Sequence, residues 1–109
     1  MKQCLLQMQE VMARMLEFPM PTLCVFNGNA IAGGYIFGLC HDHRIMHETN
    51  GQIVLTETKL GLAFPYPYMR AVQSKLHPQT VYKIIFGVTI KQPEALKDKL
   101  IDETFNSRE

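Results

Sequence analysis

What the chain lacks narrows its reading first. Neither sign of charge is in excess: 11 Lys and Arg against 10 Asp and Glu leave a formal net charge of +1, and the basic residues do not cluster. A nucleic-acid surface needs a basic patch or stripe, so that class is set aside. Cysteine is scarce. Cys4, Cys24 and Cys40 are odd in number and form no CxxC, and two of them stand in apolar runs. Buried reduced thiols fit that pattern better than a disulfide framework. No apolar run reaches membrane-spanning length, so no membrane insertion is expected. The opening MKQCLLQMQE holds no secretory apolar region and the closing NSRE is not the peroxisomal SKL signal, so no targeting signal is read. No Ser sits in a GxSxG elbow, and no HExxH occurs.

What is present is an ordinary globular composition over 109 residues, 47% hydrophobic and 19% charged. One domain with a small core is the expectation. Lys2 to Phe18 reads as an amphipathic helix, with Leu5, Met8, Met12, Met15 and Leu16 at 3 and 4 spacings. Pro19 and Pro21 end it. Thr22 to Phe26 is a near-continuous apolar strand, which predicts cover on both faces. Gly34 to Cys40 reads as a buried helix. Arg44 to His47 and Gln52 to Leu55 read as short strands around the turn cluster Glu48 to Gly51. Thr56 to Leu62 reads as a loop or strand edge. Helices follow at Tyr68 to Leu76, from His77-Pro78 to near Gly87, and from Gln92-Pro93 through Ile101, with a last strand at Asp102 to Phe105. The alternation says α/β with a partly parallel sheet. Three or four short apolar strands need neighbours at their edges. The chain therefore reads as part of a layered domain.

The chemistry gathers around Asn27 to Asp42, NGNAIAGGYIFGLCHD. A strand runs into a turn, then small residues, then the start of a buried helix. Small residues admit close backbone approach, and the first N–H groups of a helix have no partner inside it. That suits a phosphate, a carboxylate or the oxyanion of an acyl group. GNAIAGG is not GxGxxG, and no ribose-binding acid follows, so a dinucleotide site is not supported. The plain alternative for Gly33-Gly34 is tight helix–strand packing. Glu57 lies in the largely apolar VLTETKLGL; apolar walls raise a carboxyl's proton affinity and fit it for proton transfer. Its plain alternative is a surface glutamate paired with Lys59. His41, Asp42, His43 and His47 invite a metal, but they match no known ligand spacing, and a helix end also accounts for His41 and Asp42.

Taken in order, Phe18-Pro19-Met20-Pro21-Thr22, the strand, Asn27-Gly28-Asn29-Ala30, Ala32-Gly33-Gly34, Asp42, Glu57 with Leu60-Gly61-Leu62, Pro65, Glu94-Ala95-Leu96 and Leu100-Ile101-Asp102 resemble the crotonase superfamily of enoyl-CoA hydratases and isomerases. The resemblance is closest to the Δ3,Δ2-enoyl-CoA isomerases. It implies an α/β, crotonase-like ββα spiral core, here incomplete at both ends, with residues 1–109 a single partial domain. By resemblance, the Gly33 N–H would form half of an oxyanion hole for the thioester oxygen. Gly34 and Ile36 would line the substrate, and Glu57 would be the catalytic glutamate. The hydratases carry a second glutamate three residues beyond the glycine; here that position is Ile36, which cannot transfer a proton.

The resemblance thus implies a double-bond shift in an acyl-CoA, with no cofactor beyond the coenzyme A thioester that is the substrate. It implies a mitochondrial or peroxisomal setting, and a homo-oligomer or a subunit of a larger complex. Relatives are much longer, so the competing expectation is a non-catalytic, crotonase-like subunit in an assembly. A metal-binding module built on His41, His43 and His47 is the third.

Overall fold

A computed structural model describes residues 2–56 and 66–106, with side chains described from residue 6 onward. The elements in order are α1 (Lys2–Leu16), β1 (Leu23–Phe26), β2 (Ala30–Ile31), α2 (Gly33–Leu39), β3 (His43–His47), β4 (Ile53–Val54), α3 (Tyr66–Lys75), α4 (Pro78–Ile85), α5 (Gln92–Lys97) and β5 (Glu103–Phe105). Two parallel sheets result, one ordered β1-β3-β5 and one pairing β2 with β4. The α/β expectation with parallel pairing is met.

The core wraps around α2. Tyr35, Ile36 and Leu39 are fully buried, with Met46 from β3, Val72 from α3, Ile84 from α4 and Leu100 near β5 in the same cluster. Close packing of α2 on β1 depends on Gly38. A Cβ there would overlap the Phe26 ring and crowd the Cys24 sulfur. Phe26 cannot easily give way, because it is buried and its ring lies against Tyr35 with centroids 5.6 Å apart. Gly51 serves a different need. It has φ +88°, and a Cβ would run into the backbone of Gly28, so two turns meet at bare main chain.

Three expectations need correction. β1 is not covered on both faces: Leu23 is 55% and Val25 52% exposed, while Phe26 is buried and Cys24 half-buried against α2. Leu23 and Val25 alternate with Cys24 and Phe26, so they point to the sheet face opposite α2, where among the described residues no layer buries them. In α1, Met12 is buried and Met15 packs on the core, but Met8 and Leu16 are exposed, so the apolar stripe is only partly used. The last helix stops at Lys97 rather than Ile101. Lys99 takes φ +63°, the Lys99 N–H donates to Leu96 O at 3.3 Å, and the Leu100 N–H donates to Ala95 O at 2.9 Å. This is the reversed-turn cap that glycine usually provides, and here a lysine adopts it. It drives Leu100 and Ile101 into the core.

Smaller shifts have local causes. α3 takes Pro67 into its first turn, where the missing N–H costs nothing. α4 begins at Pro78 as expected, with the His77 ring nitrogen Nδ1 accepting the Gln79 N–H at 3.2 Å. α4 and α5 are joined by Lys83, which donates to Glu94 at 2.7 Å and Asp98 at 2.8 Å. The two-residue strand β2 is too short to carry an alternation and was not anticipated.

Asp42 closes the loop between α2 and β3 by a reciprocal clasp with Thr22. The Thr22 N–H donates to the Asp42 carboxylate at 2.9 Å, the Thr22 hydroxyl does so at 3.3 Å, and the Asp42 N–H donates back to that hydroxyl at 3.0 Å. The backbone N–H of Thr22, more than any other group, holds the Asp42 carboxyl below its ordinary range. A carboxylate depressed in the folded state contributes stability above its unfolded pKa and loses it as pH falls through the folded value. Asp42→Asn is therefore expected to be less stable than wild type at pH 7. Urea unfolding across a pH series should show that gap full above about pH 4, then closing in acid.

Candidate active site

The site is built by the passage from β2 into α2. Asn29 accepts the Gln52 N–H through its side-chain oxygen at 3.1 Å, and the Ala30 N–H donates to Gln52 O at 2.9 Å, fixing β2 on β4. Ala32 then turns the chain with φ 54° and ψ −126°, a region that L residues rarely adopt. Its N–H donates to Val54 O at 2.8 Å. Its carbonyl accepts the N–H groups of Tyr35 at 3.1 Å and Ile36 at 3.2 Å.

Two donors are left over. Among the described residues, the N–H groups of Gly33 and Gly34 meet no acceptor. Gly34 is exposed and Gly33 partly so. Among the described residues, a Cβ on Gly34 would touch nothing within 4 Å, and one on Gly33 would make only an ordinary 3.6 Å contact with the Met8 methyl. No described neighbour requires glycine at these two positions; within α2 that requirement falls on Gly38. α2 has only seven residues, so the two amides, more than any dipole, offer partial positive charge to a ligand oxygen.

Ile36 lies elsewhere. It is one turn into α2 and 0% exposed, packed in the core rather than lining an open surface. Glu57 lies outside the described residues, as does most of the segment read as a loop or strand edge. What is described is its approach: β4, then Leu55, buried, and Thr56, half-buried.

The metal expectation is not supported, because each side chain has another role. The His41 ring nitrogen Nδ1 lies 3.0 Å from Phe37 O, at the end of α2. His43 stands on the outer part of β3 near Asp102 and Glu103, at 3.7 and 3.6 Å. His47 is buried, and its Nδ1 accepts the N–H groups of Thr49 at 3.1 Å and Asn50 at 3.0 Å, shaping the turn after β3. Among the described residues no three His, Cys, Asp or Glu side chains converge. Cys24 and Cys40 are free thiols, and burial raises the pKa of each, which leaves them poor nucleophiles.

Two features of the site are not read from the sequence. One is the backbone strain at Ala32, which no side-chain pattern announces. The other is Tyr35, fully buried, with its hydroxyl donating to Leu100 O at 2.7 Å. A tyrosine inside an apolar helix is itself a signal, since its hydroxyl must find a partner when buried.

The parallel sheets and the helices packed on them are a crotonase-like fold, as their likeness to known proteins shows. The sequence pattern of the enoyl-CoA hydratase/isomerase family matches residues 2–109. The chain belongs to that family. It is 31% identical over 94 residues to the peroxisomal enoyl-CoA delta isomerase 2 of Arabidopsis thaliana, covering 84% of this chain and 39% of that protein. It is 30% identical over 104 residues to enoyl-CoA delta isomerase 3 of the same plant, covering 94% of this chain and 44% of that one. The crystal structure of an enoyl-CoA hydratase from Mycobacterium ulcerans superposes with a TM-score of 0.85 at 27% identity, over 91% of this chain and 43% of that one. The chain thus spans about two fifths of the length of the curated relatives it matches.

Two variants test this local reading. Ala32→Gly removes backbone strain worth about 1–3 kcal/mol and adds about 0.5–1 kcal/mol of unfolded-state entropy. Strain relief wins, and calorimetry should show a higher melting temperature. Ile36→Glu places a carboxylate in a closed core. The unpaired carboxylate should cost at least about 3 kcal/mol in a denaturant titration.

Proposed function

We propose that this chain is a Δ3,Δ2-enoyl-CoA isomerase-like protein that shifts a double bond in an unsaturated fatty acyl-CoA, as fatty acid β-oxidation requires. The observation that carries the proposal is the open Gly33-Gly34 amide pair in a chain of this family. In this reading the thioester oxygen of a 3-enoyl-CoA is held by the Gly33 N–H, with Gly34 beside it. Glu57 takes the proton from C2, and the electron pair moves into the thioester as an enolate. The double bond re-forms between C2 and C3 as Glu57 returns the proton at C4. No atom is gained or lost, so one acid–base group suffices. Adding water would need a second such group, and Ile36 at the matching position is apolar and enclosed. Oxyanion donors of this kind are worth roughly 3–4 kcal/mol where single ones have been removed. The coenzyme A thioester is the substrate, and no further cofactor is called for. The setting we propose is peroxisomal or mitochondrial.

A second reading is favoured by a different observation. The edge strand β1 shows Leu23 and Val25, and the nearby Val11, Leu16, Phe18 and Met20 are also exposed large apolar side chains. An apolar edge strand is a template for pairing. On this reading the chain is a crotonase-like subunit, in a homo-oligomer or a larger complex, whose neighbour covers that face.

Turnover of a 3-enoyl-CoA to the 2-enoyl thioester by wild type and Glu57→Gln separates the two. Isomerase function predicts activity that Glu57→Gln lowers by at least about 100-fold. Equal rates in both proteins would remove Glu57 as the base. A chain that is active while monodisperse and monomeric on size exclusion would remove the subunit reading.

A further inference from the structure

We propose that Tyr35 is the positioning residue for the Gly33-Gly34 amide pair, holding the first turn of α2 through a buried hydrogen bond to the turn between α5 and β5. The assignment rests on the reading that those amides receive a thioester oxygen.

Tyr35 follows directly after the two glycines and is fully buried. Its ring leans on Phe26, and its hydroxyl donates to Leu100 O at 2.7 Å. Burial holds the phenol well above its ordinary range, so it remains a donor at any working pH. The acceptor is itself immobilised. The Leu100 N–H is tied to Ala95 O in the cap of α5, and the Leu100 carbonyl also accepts from Arg44 Nε at 3.2 Å. Arg44 is buried too. It donates Nη1 to His41 O at 3.2 Å, while its own N–H donates to the Asp102 carboxylate at 2.9 Å. The hydroxyl of Tyr35 therefore fastens the start of α2 to a point already held by β3 and α5.

On the other side, the Ala32 N–H is fastened to Val54 O at 2.8 Å. The residue before the glycine pair and the residue after it are thus both anchored, one to β4 and the other to the turn between α5 and β5. Leu100 O would keep a partner without Tyr35, because Arg44 supplies one. A phenylalanine would fill the same space. What the hydroxyl adds is the placement of one helical turn, and misplacing a site element by a fraction of an ångström is enough to weaken a directional contact.

The test is an amide NMR titration of the whole chain with butyryl-CoA and, separately, with free coenzyme A, which lacks the thioester carbonyl. In wild type, butyryl-CoA should shift the Gly33 and Gly34 amide resonances and free coenzyme A should not. In Tyr35→Phe, that thioester-specific response should need about 10-fold more ligand, with the affinity for free coenzyme A unchanged. Thr80→Val is the matched control: it removes another buried hydroxyl, which donates to Asp98 O at 3.4 Å, and should titrate like wild type. The dispersion of the remaining resonances reports that each variant is folded. If Tyr35→Phe responds like wild type, Tyr35 has no positioning role and the functional reading stands. If the wild-type glycine amides do not move, the functional reading fails and this assignment fails with it.

Discussion

One hydrogen bond organises the chain, that from the Ala32 N–H to Val54 O. It extends the pairing of β2 with β4 by one residue and ends it there, since the next residue begins α2. Ala32 is therefore the last residue of one ladder and the cap of the next helix at once. Its carbonyl takes the first two helical N–H groups that can reach it, and its unusual φ and ψ follow from serving both elements. Gly33 and Gly34 are left between these commitments, too late for the ladder and too early for the helix. Their open N–H groups are a consequence of how the two elements join.

Much of this was legible in the sequence, for identifiable reasons. Pro78 and Gly87 mark the ends of α4 because proline suits the first helical position and Gly87 takes the left-handed φ of +79° just past the last turn. The Asn27-Gly28 turn and the apolar run after it predicted a buried helix, and α2 is that helix within a residue at each end. The family resemblance was carried by residues spread along nearly the whole chain, which made it robust to misplaced boundaries. What failed were inferences that took local pattern as sufficient. Apolar residues at every position of β1 suggested cover on both faces, yet face cover depends on a second layer, and α2 supplies it only on the side of Cys24 and Phe26. The end of α5 was misplaced because the left-handed residue in its cap is a lysine, and packing of Leu100 and Ile101 overrides its preference. The glycines are partly legible: packing is the plain alternative to an oxyanion role for Gly33 and Gly34, yet the glycine that packing needs is Gly38. Glu57, the residue on which the chemistry of the proposed isomerase turns, lies outside the described residues.

Large apolar side chains are exposed in more than one region, among them Leu16, Phe18, Met20, Leu23 and Val25 around α1 and β1, and Tyr82 and Phe86 at α4, where Lys83 joins Glu94 and Asp98. An isolated exposed leucine needs no explanation, but Val11, Leu16, Phe18, Met20, Leu23 and Val25 concentrate exposed apolar side chains in one short stretch of sequence. Helix α1 also carries Met8, whose methyl is the neighbour that a side chain at Gly33 would meet first. The two functional readings therefore meet at one contact. On the subunit reading, a partner seated beside Met8 would exclude water from the glycine amides and strengthen their electrostatic effect.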